Sequence, residues 1–410
     1  MLCFPSKSLS PPRALAPQVP PLASTASRCA SFRRAVVAPP SSTRRRRPVR
    51  LMATAAPASV PAIRLSSGYD MPVVGMGVWR ADKGRLGALI KDAVALGYRH
   101  FDCAADYGNE AEVGEALSAV LEAGAVKREE LFVTSKLWNS DHAHVREACE
   151  QSLKDLRLDY LDLYLVHFPI ATKHTGIGST SSAMGEDGVL DIDISVPLHE
   201  VWRHMEALVK DGLVRSIGIR CAPSASGALH RHQVRSIGIR CAPSASGALH
   251  RHQVRSIGIS NYDVYLTRDC LAYSSAVRPA VNQVETHPYF QRASLLRFCA
   301  KHGITLTAHT PLGGGAANEE LFKSKSPLSD PVVLELAAKH NKTAAQVVLR
   351  WGVQRNTVVI PKSNRVERLA ENIAIFDFEL DAGDMARMEG LDAKARSNNP
   401  APFWGIDLYA

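Results

Sequence analysis

No stretch of this 410-residue chain approaches the roughly 18 uninterrupted apolar residues of a membrane-spanning helix, so the sequence argues against a membrane protein. The eight cysteines (Cys3, Cys29, Cys103, Cys149, Cys221, Cys241, Cys270 and Cys299) are scattered, and none forms a CxxC pair. Their scatter excludes a zinc ribbon or a dithiol redox motif and reads as an enzyme of a reducing compartment without structural disulfides. No GxGxxG follows an early apolar run, which weakens a doubly wound dinucleotide-binding sheet, the runner-up fold. Acidic residues are missing altogether from residues 1–52.

That last absence decides how the net charge of +9 is read. Residues 1–52 hold nine Arg and one Lys, or +10, which leaves the remainder at −1. The body of the chain is therefore not basic, and no nucleic-acid partner is expected. The leader is also rich in Ser, Ala and Pro and ends in TRRRRPVR before LMATAA. It reads either as an organellar transit peptide or as a disordered tail upstream of a true start at Met52. A soluble protein is expected in both cases, in the plastid stroma with the transit peptide and in the cytosol with a start at Met52.

Beyond residue 60, short apolar runs alternate with helical periodicity. VVGMGVW (73–79), HFDCA (100–104), LFVTSKL (131–137), LDLYLVHF (161–168), one VRSIGI copy, AVNQVE (280–285), TLTAHTPL (305–312) and TVVIPK (357–362) read as strands, each followed by a helical stretch. The runs are continuous rather than alternating, as strands buried on both faces are. Eight such units predict a (β/α)₈ TIM barrel over residues 60–410.

Polar residues recur at the C-terminal ends of these strands: Asp102, Lys136, His167, Ser260 with Asn261, Gln283, His309 and Lys362. In such a barrel that rim carries the chemistry. Tyr107 follows Asp102 by five residues, in FDCAADYGNE. A phenol is a poor acid at neutral pH. A buried Lys136 ammonium beside it is expected to lower its pKa, with Asp102 as the lysine's counter-charge. His167 can hold a carbonyl oxygen. The set can protonate a carbonyl while hydride reaches its carbon.

The motifs FDCAADYGNE, VTSKLW, LYLVHFP, SIGISNY, AVNQVE and VVIPKS resemble those of the aldo-keto reductases. The resemblance implies Tyr107 as general acid, Lys136 as its pKa modifier, Asp102 as the lysine's partner and His167 as substrate orienter. It implies NADPH/NADP⁺ lying across the barrel mouth, with Gly77, Val78, Trp79, Thr310 and Leu312 among its contacts, no metal, and a monomer or weak dimer. Ser260, Asn261 and Gln283 offer donors and acceptors for a nicotinamide carboxamide. Lys362, Ser363, Asn364 and Arg368, at a helix start, suit a 2′-phosphate. Glu371 and Asn372, one turn on, are expected at the adenine edge. Many relatives carry a stacking Tyr where this chain has His309, whose charge is expected to vary near neutral pH.

HFPIATKHTGIG, TAHTPLGG and NNPAPFWGIDLYA are most similar to the plant aldose-6-phosphate reductases. That similarity implies reduction of a mannose or glucose 6-phosphate. Lys173 and His174 are then expected at the substrate phosphate, with Trp79, Phe403 and Trp404 against the sugar. A generic aldose or aldehyde reductase is one alternative, and a non-catalytic NADPH-binding regulatory barrel another.

One oddity remains. Residues 214–233 read VRSIGIRCAPSASGALHRHQ, residues 234–253 repeat them without change, and VRSIGISN (254–261) begins a third copy. A barrel has one slot for this strand. Repeat folds stack diverged units that each add to a core, whereas perfect copies without periodicity read as a forty-residue inserted duplication. Cys221, His230 and His232, and their duplicates Cys241, His250 and His252, are not read as a metal site. The third copy is expected to fill the slot, because only it leads into Ser260 and Asn261.

Overall fold

Buried on both faces, the apolar runs pair side by side. The structure, a computed structural model, describes residues 60–210, 253–314 and 326–408. The leader 1–52 and residues 214–252 of the duplication lie outside the described residues. The strands are β1 (Ala62–Arg64), β2 (Asp70–Pro72), β3 (Met76–Gly77), β4 (His100–Asp102), β5 (Phe132–Leu137), β6 (Tyr160–Leu161), β7 (Leu163–Val166), β8 (Gln253–Val254), β9 (Ile257–Ser260), β10 (Val281–Glu285), β11 (Thr305–His309) and β12 (Thr357–Val359).

Eight of them form one parallel sheet in the order β3-β4-β5-β7-β9-β10-β11-β12. Its edges meet. Val74 bridges Val359 in parallel, the Gly75 N–H donates to Val359 O at 2.9 Å, and the Gly77 N–H donates to Pro361 O at 3.2 Å. The sheet is thus a closed (β/α)₈ barrel, not an open doubly wound one.

Strand alternation splits the core into two layers. Phe132, Leu163, Leu165, Val281 and Val358 cluster together, with Leu65 and Met71 of the β1–β2 hairpin packed onto them. This hairpin, not anticipated from the sequence, plugs the barrel beneath the rim. Met71 is fully buried there, and its truncation to Ala would cost about 2–5 kcal/mol. Alternate residues (Val133, Tyr164, Val166, Ile257, Ile259, Val359) join the larger core under the helices. Gly258 has no room for a side chain, since an added Cβ would lie 2.6 Å from Val281 O and 2.7 Å from a Leu165 methyl.

Helices follow the strands as the periodicity predicts, among them Leu86–Ala95, Glu110–Glu122, Val145–Leu156, Val264–Tyr273 and Val366–Ile373. Their ends are set locally. Asp263 accepts from Leu266 N at 2.8 Å, and Thr343 and Gln346 form a capping box. Among the described residues no helix is long and apolar enough to cross a membrane.

The run expected as one strand over 161–168 is interrupted. Asp162 turns its carboxylate to Val133 N at 2.9 Å, to Arg128 at 2.8 Å and to Arg255 at 3.1 Å. Two residues on its near side, β6, pair instead with β8. The third VRSIGI copy occupies the slot. Its Ile257–Ser260 lies between β7 and β10, with Gly258 opposite Leu165 and Ser260 opposite Gln283.

Candidate active site

On β5 the alternation that turns Phe132 inward turns Lys136 inward too, at the rim end. Its ammonium is fully buried. Nζ donates to Asp102 Oδ2 at 2.9 Å, to Cys103 O at 2.7 Å and to Tyr107 Oη at 3.0 Å. Three acceptors use all three N–H bonds of the ammonium. The second oxygen of Asp102 accepts from Gln283 Nε2 at 2.7 Å. The His167 ring stands edge-on to Tyr107 and to Trp138, with centroids 5.9 and 5.3 Å away.

The electrostatics divide these groups by role. Burial alone would lower the Lys136 pKa, but Asp102 and Tyr107 outweigh it, and the ammonium is held above its ordinary range. Burial pushes the Tyr107 phenol up, with Lys136 pulling it down. The net direction is upward, opposite to the sequence-based expectation, because the ring is enclosed and the Lys136 charge is shared with Asp102. Burial, then Lys136, holds His167 well below the usual histidine range. At neutral pH the site therefore presents an ammonium, a protonated phenol and a neutral imidazole.

Asp102, Tyr107 and His167 face one cavity of about 840 Å³. At the barrel mouth it is lined by the aromatic residues Trp79, Trp138, Phe403 and Trp404 and by the basic residues Lys362, Arg365 and Arg368. Gly77, Ser260, Asn261, Gln283, His309, Thr310, Leu312, Ser363 and Asn364 also line it. Asn261 Nδ2 donates to His167 O at 2.9 Å, and Ser260 Oγ donates to Gln283 O at 2.8 Å. His309 Nε2 lies 3.2 Å from Asn261 Oδ1. Burial brings the His309 pKa down to about 4, with Glu285 opposing, so its ring is neutral through the physiological range rather than variable as the sequence suggested. At Gly77 an added Cβ would sit 2.9 Å from Ile360 O, so only glycine keeps this wall open.

Several candidates fall elsewhere. The Val78 side chain is fully buried in the core and does not line the cavity. Its carbonyl accepts from Asn109 Nδ2 at 3.0 Å. Glu371 and Asn372 sit one turn beyond Arg368, outside the cavity wall, with Asn372 buried. Lys173 and His174 also lie outside it. The loop after β7 doubles back on itself, with Thr172 bridging Ile192. Lys173 Nζ thereby reaches Asp193 at 3.3 Å, and His174 Nδ1 reaches Ser140 O at 2.9 Å and Asp141 at 3.2 Å.

The structure adds cavity residues that the sequence reading missed. Asp106 borders the cavity, and burial pushes its carboxyl up to about 7 against the pull of Lys136. Its place next to Tyr107 was the available signal. Arg80 and Arg365 add positive charge, and Thr180, Ser182, Met184 and Asn398 line the wall. The first three come from a loop with no periodicity to reveal them. Among the described residues no group of His, Cys, Asp and Glu could hold a metal.

Comparison with known proteins covers this same body. The Aldo/keto reductase family model matches residues 73–228 and 251–393, and its break falls inside the duplicated segment. The NADP-dependent D-sorbitol-6-phosphate dehydrogenase of Malus domestica is 51% identical over 348 residues, 85% of this chain and 99% of that protein. The NAD(P)H-dependent D-xylose reductase I,II of Candida tropicalis is 37% identical over 369 residues, covering 86% and 98%. The aldose reductase structure from Schistosoma japonicum superposes with a TM-score of 0.68 at 35% identity, over 85% of this chain and 97% of that one. The likeness takes in every barrel strand that carries a rim residue, and the chain belongs to the aldo/keto reductase family of oxidoreductases.

Proposed function

We propose that the chain reduces the C1 aldehyde of an aldose 6-phosphate, mannose or glucose 6-phosphate, to the alditol phosphate with NADPH. One observation carries the reading. The Lys136–Tyr107–Asp102 network and His167 open into the same cavity as a basic end bearing Lys362, Arg365 and Arg368. The residues present fit the cofactor. Donors and acceptors on Ser260, Asn261 and Gln283 sit beside the network and suit a carboxamide, while the basic end suits a 2′-phosphate. Burial lowers the Lys362 pKa, as does Arg80, with Asp82 opposing, so a bound phosphate would supply charge this pocket lacks. Glu371 and Asn372, just beyond, are proposed for the adenine edge.

NADPH, when bound, supplies hydride to the carbonyl carbon. The chain does the rest. His167, neutral, holds the carbonyl oxygen. Tyr107 gives that oxygen its Oη proton. Lys136 stabilises the phenolate left behind, and Asp102 with Gln283 keeps the lysine charged and in place. Trp79, Phe403 and Trp404 are proposed to close over the sugar and exclude water.

The substrate is carried by the Malus relative, whose name specifies sorbitol 6-phosphate. A second reading, an unphosphorylated aldose, is favoured by the aromatic half of the cavity. Its wall there is neutral at Thr180, Ser182, Met184 and Asn398, and Lys173 is turned away. NADPH oxidation with mannose and glucose 6-phosphates against mannose, glucose and xylose separates the two. A kcat/KM at least about tenfold higher for the phosphates, or 1.4 kcal/mol, supports the first reading, and parity overturns it. On either reading the protein is proposed to act as a monomer or weak dimer, without nucleic acid or membrane. It would work in the cytosol after a start at Met52, or in the plastid stroma if residues 1–52 are a transit peptide.

A further inference from the structure

We propose that Glu285 is a positioning residue for the substrate half of the cavity, acting through the C-terminal tail. It closes β10, two residues beyond Gln283, so both side chains point to the barrel interior. Gln283 reaches down to Asp102. Glu285, fully buried, reaches outward to a segment that adds no strand to the barrel.

The contacts are specific. Glu285 Oε1 accepts from Ser397 N at 2.5 Å and from His287 Nε2 at 2.9 Å. Oε2 accepts from Asn398 N at 3.2 Å and faces Arg396 at 3.8 Å. Ser397 Oγ lies 3.1 Å from His287 Nε2, and Ala395 N donates to Tyr289 O at 3.0 Å. Two consecutive tail amides on one carboxylate fix the backbone direction at residues 397–398, because each N–H must point inward. The tail is pinned again seven residues after Ser397. Trp404 packs on Phe168 and Trp138, with ring centroids 4.9 and 6.4 Å away, and its carbonyl accepts from Leu190 N at 2.8 Å.

Between these two pins run Asn398, Pro400 and Phe403, all lining the cavity. Only the first pin depends on a buried charge. The second is an apolar cluster with one backbone hydrogen bond. Glu285 therefore sets which tail residues face the substrate, while Lys136, Asp102, Tyr107 and the basic end of the cavity rest on other elements, and Gln283, on β10 itself, meets Asp102 and not the tail. Released from Glu285, the tail keeps its aromatic contact but loses its register. A long substrate that touches the tail is then bound poorly, whereas a short aldehyde that reaches only Tyr107 and His167 is still reduced.

The inference rests on the aldose-reductase reading, and the test keeps the two apart by using substrates of different length. Glu285→Leu, Glu285→Gln and Ser397→Pro would be assayed with a hexose 6-phosphate, with xylose and with glyceraldehyde, alongside an NADPH fluorescence titration. The Pro variant removes one tail N–H without touching the barrel, which covers the case in which Glu285→Leu fails to fold. Expected for Leu and Pro is a tenfold or greater rise in KM for the longest aldose that wild type reduces. The glyceraldehyde kcat and the NADPH Kd should change less than about twofold, with Gln, whose single oxygen can accept only one of the two amides, intermediate between wild type and Leu in long-substrate KM. The proposal is overturned if all substrates lose activity equally, if NADPH binding weakens in parallel, or if Ser397→Pro leaves the long-substrate KM unchanged. If wild type reduces no hexose or hexose phosphate at all, the aldose reading fails. The ratio of xylose to glyceraldehyde then still decides on Glu285.

Discussion

Gln283 donates to Asp102 at 2.7 Å on the carboxylate oxygen that Lys136 leaves free. One side chain of β10 thereby holds the counter-ion of a lysine on β5, across the barrel. Removing the Asp102 charge strands a fully buried ammonium. Asp102→Asn is expected to cost about 3–5 kcal/mol of stability, as the loss of one partner of a buried pair does. The double variant Asp102→Asn, Lys136→Met should recover part of that loss in denaturant unfolding while remaining inactive. A double variant no more stable than the single would show that the pair is not what Asp102 supports.

Tyr107→Phe removes the proposed proton donor and leaves the remaining cavity wall in place. Reduction should fall by about 10²–10⁴-fold, the usual contribution of general acid catalysis. NADPH binding, followed by protein fluorescence, should stay within about twofold. Turnover close to wild type would remove Tyr107 from the chemistry.

At the basic end, Lys362→Met and Arg368→Leu should each raise KM for NADPH far more than KM for NADH, because only NADPH carries the 2′-phosphate proposed to meet these cations. Arg365 lines the same end and should behave likewise. Lys173→Met, by contrast, should leave the kcat/KM of every sugar unchanged, since its ammonium faces Asp193 outside the cavity. Steady-state kinetics with both cofactors decides these assignments together.

One half-buried and one buried carboxyl give a pH signature. Burial raises Asp106 from 3.8 to about 7, with Lys136 opposing. Burial raises Glu110 from 4.5 to about 7, against hydrogen bonds from Ser135 and Ser152. Between about pH 4 and 7 the native state then holds more protons than the unfolded one, and stability must fall as pH rises. The contribution is full below the unfolded values and is lost once pH passes 7. Asp106→Asn with Glu110→Gln should flatten this slope in a Tm-against-pH series. A slope equal to wild type would assign it to other groups.

The barrel was legible because eight runs lie buried on both faces and keep an apolar signature whatever their partners. The polar rim was legible because strand ends are where polarity interrupts such a run, as at Lys136 and His167. What stayed hidden depends on distant partners. Nothing local in LDLYLV shows that Asp162 turns to Arg128 and Arg255 and breaks the strand. The hairpin and the β6–β8 pair are too short for a periodicity to register. Lys173 and His174 look like phosphate ligands until the returning loop brings Asp193 and Asp141 beside them. The direction of the Tyr107 shift turns on how fully the ring is enclosed, which a sequence does not state.

The strand slot filled by Ile257–Ser260 has a consequence for how the chain finds its register. All three copies share Val-Arg-Ser-Ile-Gly-Ile, so each brings the glycine that the site at Gly258 demands and the arginine that Arg255 uses to reach Asp162. Local fit alone makes them degenerate. They part at the next residue: Ser260 in the third copy, Arg220 or Arg240 in the others. At that position the serine hydroxyl bonds to Gln283 O and is buried. An arginine there would press an unpaired cation toward Lys136. The rim residue Ser260 thus distinguishes the third copy from the other two, which differ from it there by a charge. A chain shortened by residues 214–253 would keep that copy alone.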